Sequence, residues 1–282
     1  MTQNAKTTLS LNLRETRFWA SSQQLFVPMG QIRRQTLVLF ILWLLIMISL
    51  PIVKFLGGKA ALAPAMMLCV LVQSGLVLVI LYYAWGAAQT AKVAGGIVLL
   101  TWLAEAIGTA TGFPFGVYEY TDRFQPQLAH VPLLIPLAWL MMLPAAWAIA
   151  SRIAGAWSGL AFVGFSALAM TAWDLAVDPQ MVDWGFWVWA EPSGYFGIPW
   201  SNFIGWALTS ALITIVVRPS ELPTGVLMLI YVLTWILQSM GLLLFWNLPG
   251  PAIIGFIAMG SLVWLAWSPQ HRRVVCRHSS GF

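Results

Sequence analysis

Apolar residues in this chain collect into eight runs, at about residues 36–55, 61–83, 93–110, 132–150, 153–173, 200–217, 224–246 and 251–268. Each is close to the ~20 residues that an α-helix needs to cross a hydrocarbon core. The pattern predicts an all-α fold, a polytopic transmembrane bundle of eight helices, and the short link around Ser151 and Arg152 leaves a seven-span alternative. Two connections are longer than the rest, at residues 111–131 and 174–199. They are rich in Gly, Pro and aromatic residues in place of polar linker filler, so they are expected to form ordered, partly re-entrant caps.

The cationic positions orient the bundle, because short cytoplasmic loops retain Lys and Arg. With eight spans, Lys6, Arg14, Arg17, Arg33, Arg34, Lys92, Arg152, Arg218, Arg272, Arg273 and Arg277 fall on one side, and Lys54, Lys59 and Arg123 on the other. Both termini are therefore expected in the cytoplasm, with the aromatic caps on the opposite face of the cell membrane. Residues 1–35 read as a cytoplasmic segment, in which Phe18, Trp19, Leu25 and Phe26 suit either an interfacial helix or a plain tail. Residues 36–268 read as one transmembrane domain and residues 269–282 as a basic tail. No cleavable signal peptide is expected, since the first apolar run follows more than thirty mostly polar residues.

Composition strengthens the membrane assignment. Apolar residues make up 60% of the chain and charged ones 8%, with a mean hydropathy of +0.82, far from the roughly 25% charged residues of soluble domains. A sequence pI near 9.5 then reflects topology and contact with anionic lipid, and no nucleic-acid signature accompanies it. Cys69 lies in a span and Cys276 in the tail, so no disulfide is expected between them. Gly155 and Gly159 have the spacing of a helix-dimer motif, which ordinary packing explains equally well; a homodimer, or contact with other enzymes of the same pathway, stays open.

Seven of the nine acidic residues lie between Glu105 and Glu191, a stretch that holds only two of the fourteen Lys and Arg residues. Ionisable groups at membrane depth are costly, and the default reading of one is functional. Glu105 falls inside the third run, and on a helix Trp102, Glu105, Gly108, Thr109 and Gly112 share a face. Asp174 and Asp178, in WDLAVDP, lie four apart at the end of the fifth run. If the helix continues through Val177 they face the same way, and Pro179 is expected to end it soon afterwards. Two carboxyls that close do not both ionise readily, so one can keep its proton. Structural hydrogen bonding or capping is the alternative for each of the three. Glu119, Asp122, Asp183 and Glu191 read as solvated loop residues.

Several chemistries are excluded. His130 lies in a connection and His271 and His278 in the tail, so no span offers imidazole for haem or a di-iron centre. The last four runs hold no Lys for a Schiff base, and no dinucleotide fingerprint or phosphate loop is present. A carboxylic acid among aromatic rings in a membrane points to cofactor-independent, proton-initiated chemistry on an apolar alkene. Protonation needs a neutral acid, and the resulting cation is stabilised by ring faces.

The segments AEAIGTATGFPFGVYEYT, WDLAVDPQM and GYFGIPWSNFIGW, over about residues 101–206, resemble an integral-membrane carotenoid biosynthesis family. It includes the hydratases that act on acyclic ends of γ-carotene and of bacterioruberin precursors. The resemblance implies addition of water across the terminal (1′,2′) double bond of a ψ end group, on a lycopene-, γ-carotene- or bacterioruberin-precursor-like substrate. Glu105, Asp174 and Asp178 are then the candidate catalytic acids. Trp102, Phe115, Tyr118, Trp173, Tyr195, Phe196, Trp200 and Asn202 are the candidate substrate-binding residues, Asn202 holding the water or the new hydroxyl. No metal site is expected. A carotenoid cyclase, a membrane prenyltransferase using DLAVD as a metal-diphosphate motif, and a proton-coupled transporter or carotenoid-binding protein are the competing readings.

Overall fold

A computed structural model describes residues 33–268. The expected interfacial segment, Cys276, His271, His278 and the basic tail lie outside the described residues. Helices α1 (Arg34–Gly57), α2 (Leu62–Thr111), α3 (Leu134–Ala154), α4 (Gly159–Asp183), α5 (Trp200–Val217), α6 (Thr224–Leu244) and α7 (Pro249–Trp267) carry the fold. Among the described residues these seven stretches are long and apolar enough to cross a membrane. Their outer faces present large apolar side chains such as Leu45, Leu99, Leu212, Phe256 and Trp264, an arrangement that lipid accommodates and water does not.

All eight apolar runs form helical segments, and the second and third of them share one stretch, α2, which is two helices joined at a kink. The 50-residue α2 breaks at Gly86, whose φ of 76° and ψ of 177° lie in a region open essentially to glycine alone. The two arms run in opposite directions. Lys59, just before α2, donates from Nζ to the Asp183 carbonyl at the end of α4 (2.8 Å), and the other end of α2 leads back to the same end of the bundle. Beside the break, the Trp85 indole donates to the Glu221 carbonyl at the far end (3.0 Å). The link at Ser151 and Arg152 is not where the count changes. Gly155 (φ 68°) ends α3 and Gly159 (φ 87°) opens α4, so these glycines flank a turn and share no helix face. The dimer-motif reading of their spacing is thereby removed.

Helix α3 is the centre of the bundle, with Trp139, Met142 and Trp147 enclosed by its neighbours. The Trp147 indole donates to Thr214 Oγ1 of α5 (2.9 Å), and the Tyr231 hydroxyl of α6 to the Ala169 carbonyl of α4 (2.9 Å). These bonds fix register between surfaces that are otherwise uniformly greasy.

Both long connections are ordered. Strand β1 (Tyr118–Tyr120) of the first pairs antiparallel with a strand of the second, Trp187–Trp189, in the register Tyr118↔Trp189, Glu119↔Val188 and Tyr120↔Trp187. Between them in the chain, β2 (Gln127–Leu128) and β3 (Val131–Pro132) form a small hairpin, which makes the Trp187–Trp189 strand β4. Lys54, Lys59 and Arg123, the three cations expected to share a side, gather at this end. Lys59 meets Asp183 (3.5 Å), Lys54 donates to the Phe245 carbonyl (3.1 Å), and the Arg123 guanidinium lies beside Gly185.

Candidate active site

The first connection re-enters the bundle through one side chain. Phe115 is wedged between α2 and α5, and a glycine makes room on each side: a Cβ on Gly108 would stand 2.7 Å from its ring and one on Gly205 2.6 Å. Ser201 Oγ donates to the Phe115 carbonyl (2.9 Å) and ties the loop to the start of α5. From that anchor the strand pair follows. Side chains alternate along a strand, so Tyr118, Tyr120, Trp187 and Trp189 turn into the bundle while Glu119 and Val188 turn out.

These rings roof a cavity of about 470 Å³. Its polar wall carries Glu105 of α2, Asp178 of α4 and Asn202 of α5; its apolar walls include Trp139 of α3, Trp173 of α4 and Trp206 of α5. Trp139 stacks on Trp206 at 4.4 Å between centroids, and Trp206 meets Trp173 edge-on at 5.8 Å. Among the described residues, no Lys, Arg or His lines the space. Deeper along α4 and α6, the Trp173 indole donates to Gln238 (2.9 Å), whose amide donates to Gln180 (3.3 Å).

The buried acids form two stations with different partners. At the first, one Glu105 oxygen accepts the hydroxyls of both Tyr118 (2.5 Å) and Tyr120 (2.8 Å). Burial first, and the neighbouring Glu105 carboxyl second, hold both phenols well above their ordinary range, so they remain O–H donors. At the second, the Asn202 amide donates to Asp178 Oδ2 (2.6 Å) and to Asp174 Oδ2 (2.9 Å), and the Trp187 indole donates to Asp178 Oδ1 (2.6 Å). Asp174 Oδ1 is buried with no hydrogen-bond partner among the described residues. The indole N–H groups of Trp139 and Trp189, both on the cavity wall, lie toward Glu105 and Asp178 respectively without closing a hydrogen bond among the described residues.

The second station depends on a helix that was expected to stop. Pro179 lies inside α4, which continues to Asp183. Proline removes the bond to the carbonyl four residues back, here Leu175. The Tyr195 hydroxyl donates to that carbonyl (2.9 Å), so the second connection completes the bond that Pro179 cannot make. The helix survives, and Asp174 and Asp178 stay one turn apart on one face.

Of the residues singled out from the sequence, Glu105, Asp178, Phe115, Tyr118, Trp173 and Asn202 line the cavity, and Asp174 lies behind it on the Asn202 amide. Four are placed elsewhere. Trp102 donates to the Leu128 carbonyl (3.2 Å) outside the cavity, and Tyr195 braces α4. Phe196 packs against Gly250 and Trp200 against Gly194, both largely exposed, because the turn at 195–198 faces away from the roof. Lining residues not singled out include Tyr120, Trp139, Trp187, Trp189, Trp206 and the amides Gln73, Gln180 and Gln238. The alternation in YEY and WVW was the available signal for four inward rings.

The model of the family described as carotenoid biosynthesis protein matches residues 64–262, which covers most of the chain and the whole cavity apart from its α1 wall. Over 119 residues the chain is 28% identical to a bisanhydrobacterioruberin hydratase of Haloarcula japonica. That similarity covers 41% of this chain and 40% of the relative, less than half of either. No solved structure matches the chain. The extent of the family match, with the carboxyl-and-aromatic cavity inside it, identifies this membrane protein as a member of the carotenoid biosynthesis protein family.

Proposed function

We propose that this protein is a carotenoid hydratase that adds water across the terminal double bond of an acyclic ψ end group, leaving a tertiary alcohol, with no redox cofactor. The observation that carries this reading is the pair of unlike acid stations on one apolar, aromatic-walled cavity. The name of the Haloarcula relative supports hydration and a bisanhydrobacterioruberin-like substrate, and the resemblance over residues 101–206 adds lycopene-like and γ-carotene-like ones.

In this mechanism the aspartate pair holds one proton, because two buried carboxyls on one amide, with no cation among the described lining residues, cannot both ionise cheaply. Asp178, which reaches the cavity, transfers that proton to the CH carbon of the terminal alkene. The π pair forms the new C–H bond, and the positive charge falls on the dimethyl-substituted carbon, facing the Trp139, Trp173 and Trp206 rings. Cation–ring attraction in a dry site reaches ~2 kcal/mol or more per contact. Water held between Glu105 and the Trp139 indole N–H adds to that carbon, and Glu105 takes the proton it releases. Return of that proton to the aspartate pair restores the site, so the net change is one water added. Both termini are assigned to the cytoplasmic side of the cell membrane and the acid stations to the half nearer the opposite face.

The test is purified protein supplied with an acyclic carotenoid in ¹⁸O-water and deuterium oxide. One labelled oxygen and one deuterium on adjacent carbons of the product are expected. A ring product without labelled oxygen would replace hydration with cyclisation, and tight binding without turnover would make the protein a carrier.

A further inference from the structure

The cavity is open on one flank. Ile48 and Ile52 of α1, Met240 of α6 and Phe245 just after it all line the interior, and each is also about half exposed on the outer surface. Side chains that touch both sides mark a gap in the wall. Helices α1 and α6 meet only sparsely, and a bridge closes the gap at the loop end. There Lys54 Nζ donates to the Phe245 carbonyl (3.1 Å) and lies 4.7 Å from the centre of the Trp246 ring. Trp246 folds inward because residue 241 is glycine; a Cβ there would stand 2.9 Å from its Nε1. Below the bridge the slot is about 8 Å tall along α1, from Met47 to Ile52, and about 10 Å along α6, from Thr234 to Gly241, at 1.5 Å per residue.

We propose that this slot is a lateral port, through which a long polyene enters from the bilayer and through which its unreacted length projects into lipid while its end group sits between the acid stations. Three observations meet here. The cavity, at about 470 Å³, is in the lower half of the ~300–1,000 Å³ range of ligand pockets, a volume for an end group and not for a long chain. The side chains that reach the outer surface at the slot, Ile48, Ile52, Met240 and Phe245, are apolar, and Lys54 is set at its rim. A route through water would expose the whole apolar length of the substrate, whereas a route from hydrocarbon exchanges one apolar surround for another. The proposal rests on the hydration reading for the identity of the chain that occupies the slot.

The experiment uses the full chain in lipid nanodiscs with two substrates that share a ψ end: a forty-carbon acyclic carotenoid and a short acyclic terpenoid. Ile52→Trp and Met240→Trp are expected to lower kcat/KM for the carotenoid by roughly tenfold or more and for the short substrate by less than about threefold. Ile257→Trp, on the outer face of α7 away from the cavity, is expected to change neither. Thermal melting and monodisperse elution establish that each variant is folded; if one port variant fails this, the other decides. Equal losses on both substrates, or undiminished carotenoid turnover, would overturn the port. If wild-type protein hydrates neither substrate, the hydration reading fails separately, and the port is judged by pigment retention: visible absorbance carried through purification by wild type and lost in both port variants supports it. Retention of a phospholipid that the polyene does not displace would overturn it.

Discussion

The two acid stations are made of the same functional group and are furnished in opposite ways. Glu105 gathers two phenolic O–H donors on one oxygen, and those donors are kept protonated by their own burial. Asp174 and Asp178 share a single side-chain amide, with one more N–H from Trp187 and one oxygen left without any partner among the described residues. Donors stabilise a carboxylate, and a second carboxyl alongside destabilises it. Across one cavity the fold thus separates a station suited to accept a proton from a station suited to hold one. The general lesson is that acid and base roles follow from what surrounds each carboxyl, here a second carboxyl sharing one amide against phenols alone, which no side-chain identity reveals.

The comparison breaks most visibly at Asp178. Asp178→Asn keeps the shape and removes the acid, and the loss of hydration is expected at about 10²- to 10⁴-fold, read as the precursor-to-alcohol ratio in a carotenoid-producing host. Glu105→Gln is expected to cost less, about 10²-fold, and to shift the residual product towards isomerised alkene, because the cation still forms while water is no longer deprotonated. Equal product distributions from the two variants would erase the distinction between stations.

Smaller changes sharpen it. Tyr118→Phe and Tyr120→Phe each remove one donor to a charged group, a loss of about 1.5 kcal/mol, and each is expected to slow turnover roughly tenfold with little change in substrate affinity. Tyr195→Phe leaves the Leu175 carbonyl unpaired beneath the aspartate pair. It is expected to lower stability by about 1–3 kcal/mol, measured by thermal melting, and turnover by no more than about threefold.

Much of the bundle was legible from local pattern. Eight apolar runs became helical segments, and the acids most out of place in a membrane, Glu105, Asp174 and Asp178, were brought to one region. Helix breaks were less legible. Gly86 reverses the chain inside the gap at residues 84–92 that separates two apolar runs, a gap too short and too apolar to show which residue turns, while Pro179, an ordinary stop signal, is overridden by the Tyr195 hydroxyl, sixteen residues further on. The choice among aromatic residues was hardest, since it turns on pairing between two distant connections. That register points Tyr120, Trp187 and Trp189 inward, while a separate turn leaves Phe196 and Trp200 outside. The unexpected amides Gln73, Gln180 and Gln238 carried a signal in being polar groups within apolar runs, yet only the folded bundle shows that they meet one cavity.

The central claim, that the cavity holds one neutral and one ionised acid station, is tested most directly by infrared difference spectroscopy of the purified protein in lipid. The account predicts a carboxylic-acid C=O stretch near neutral pH that disappears in Asp178→Asn and persists in Glu105→Gln. A band that vanishes with Glu105 and survives the loss of Asp178, or no protonated carboxyl at all, would contradict it.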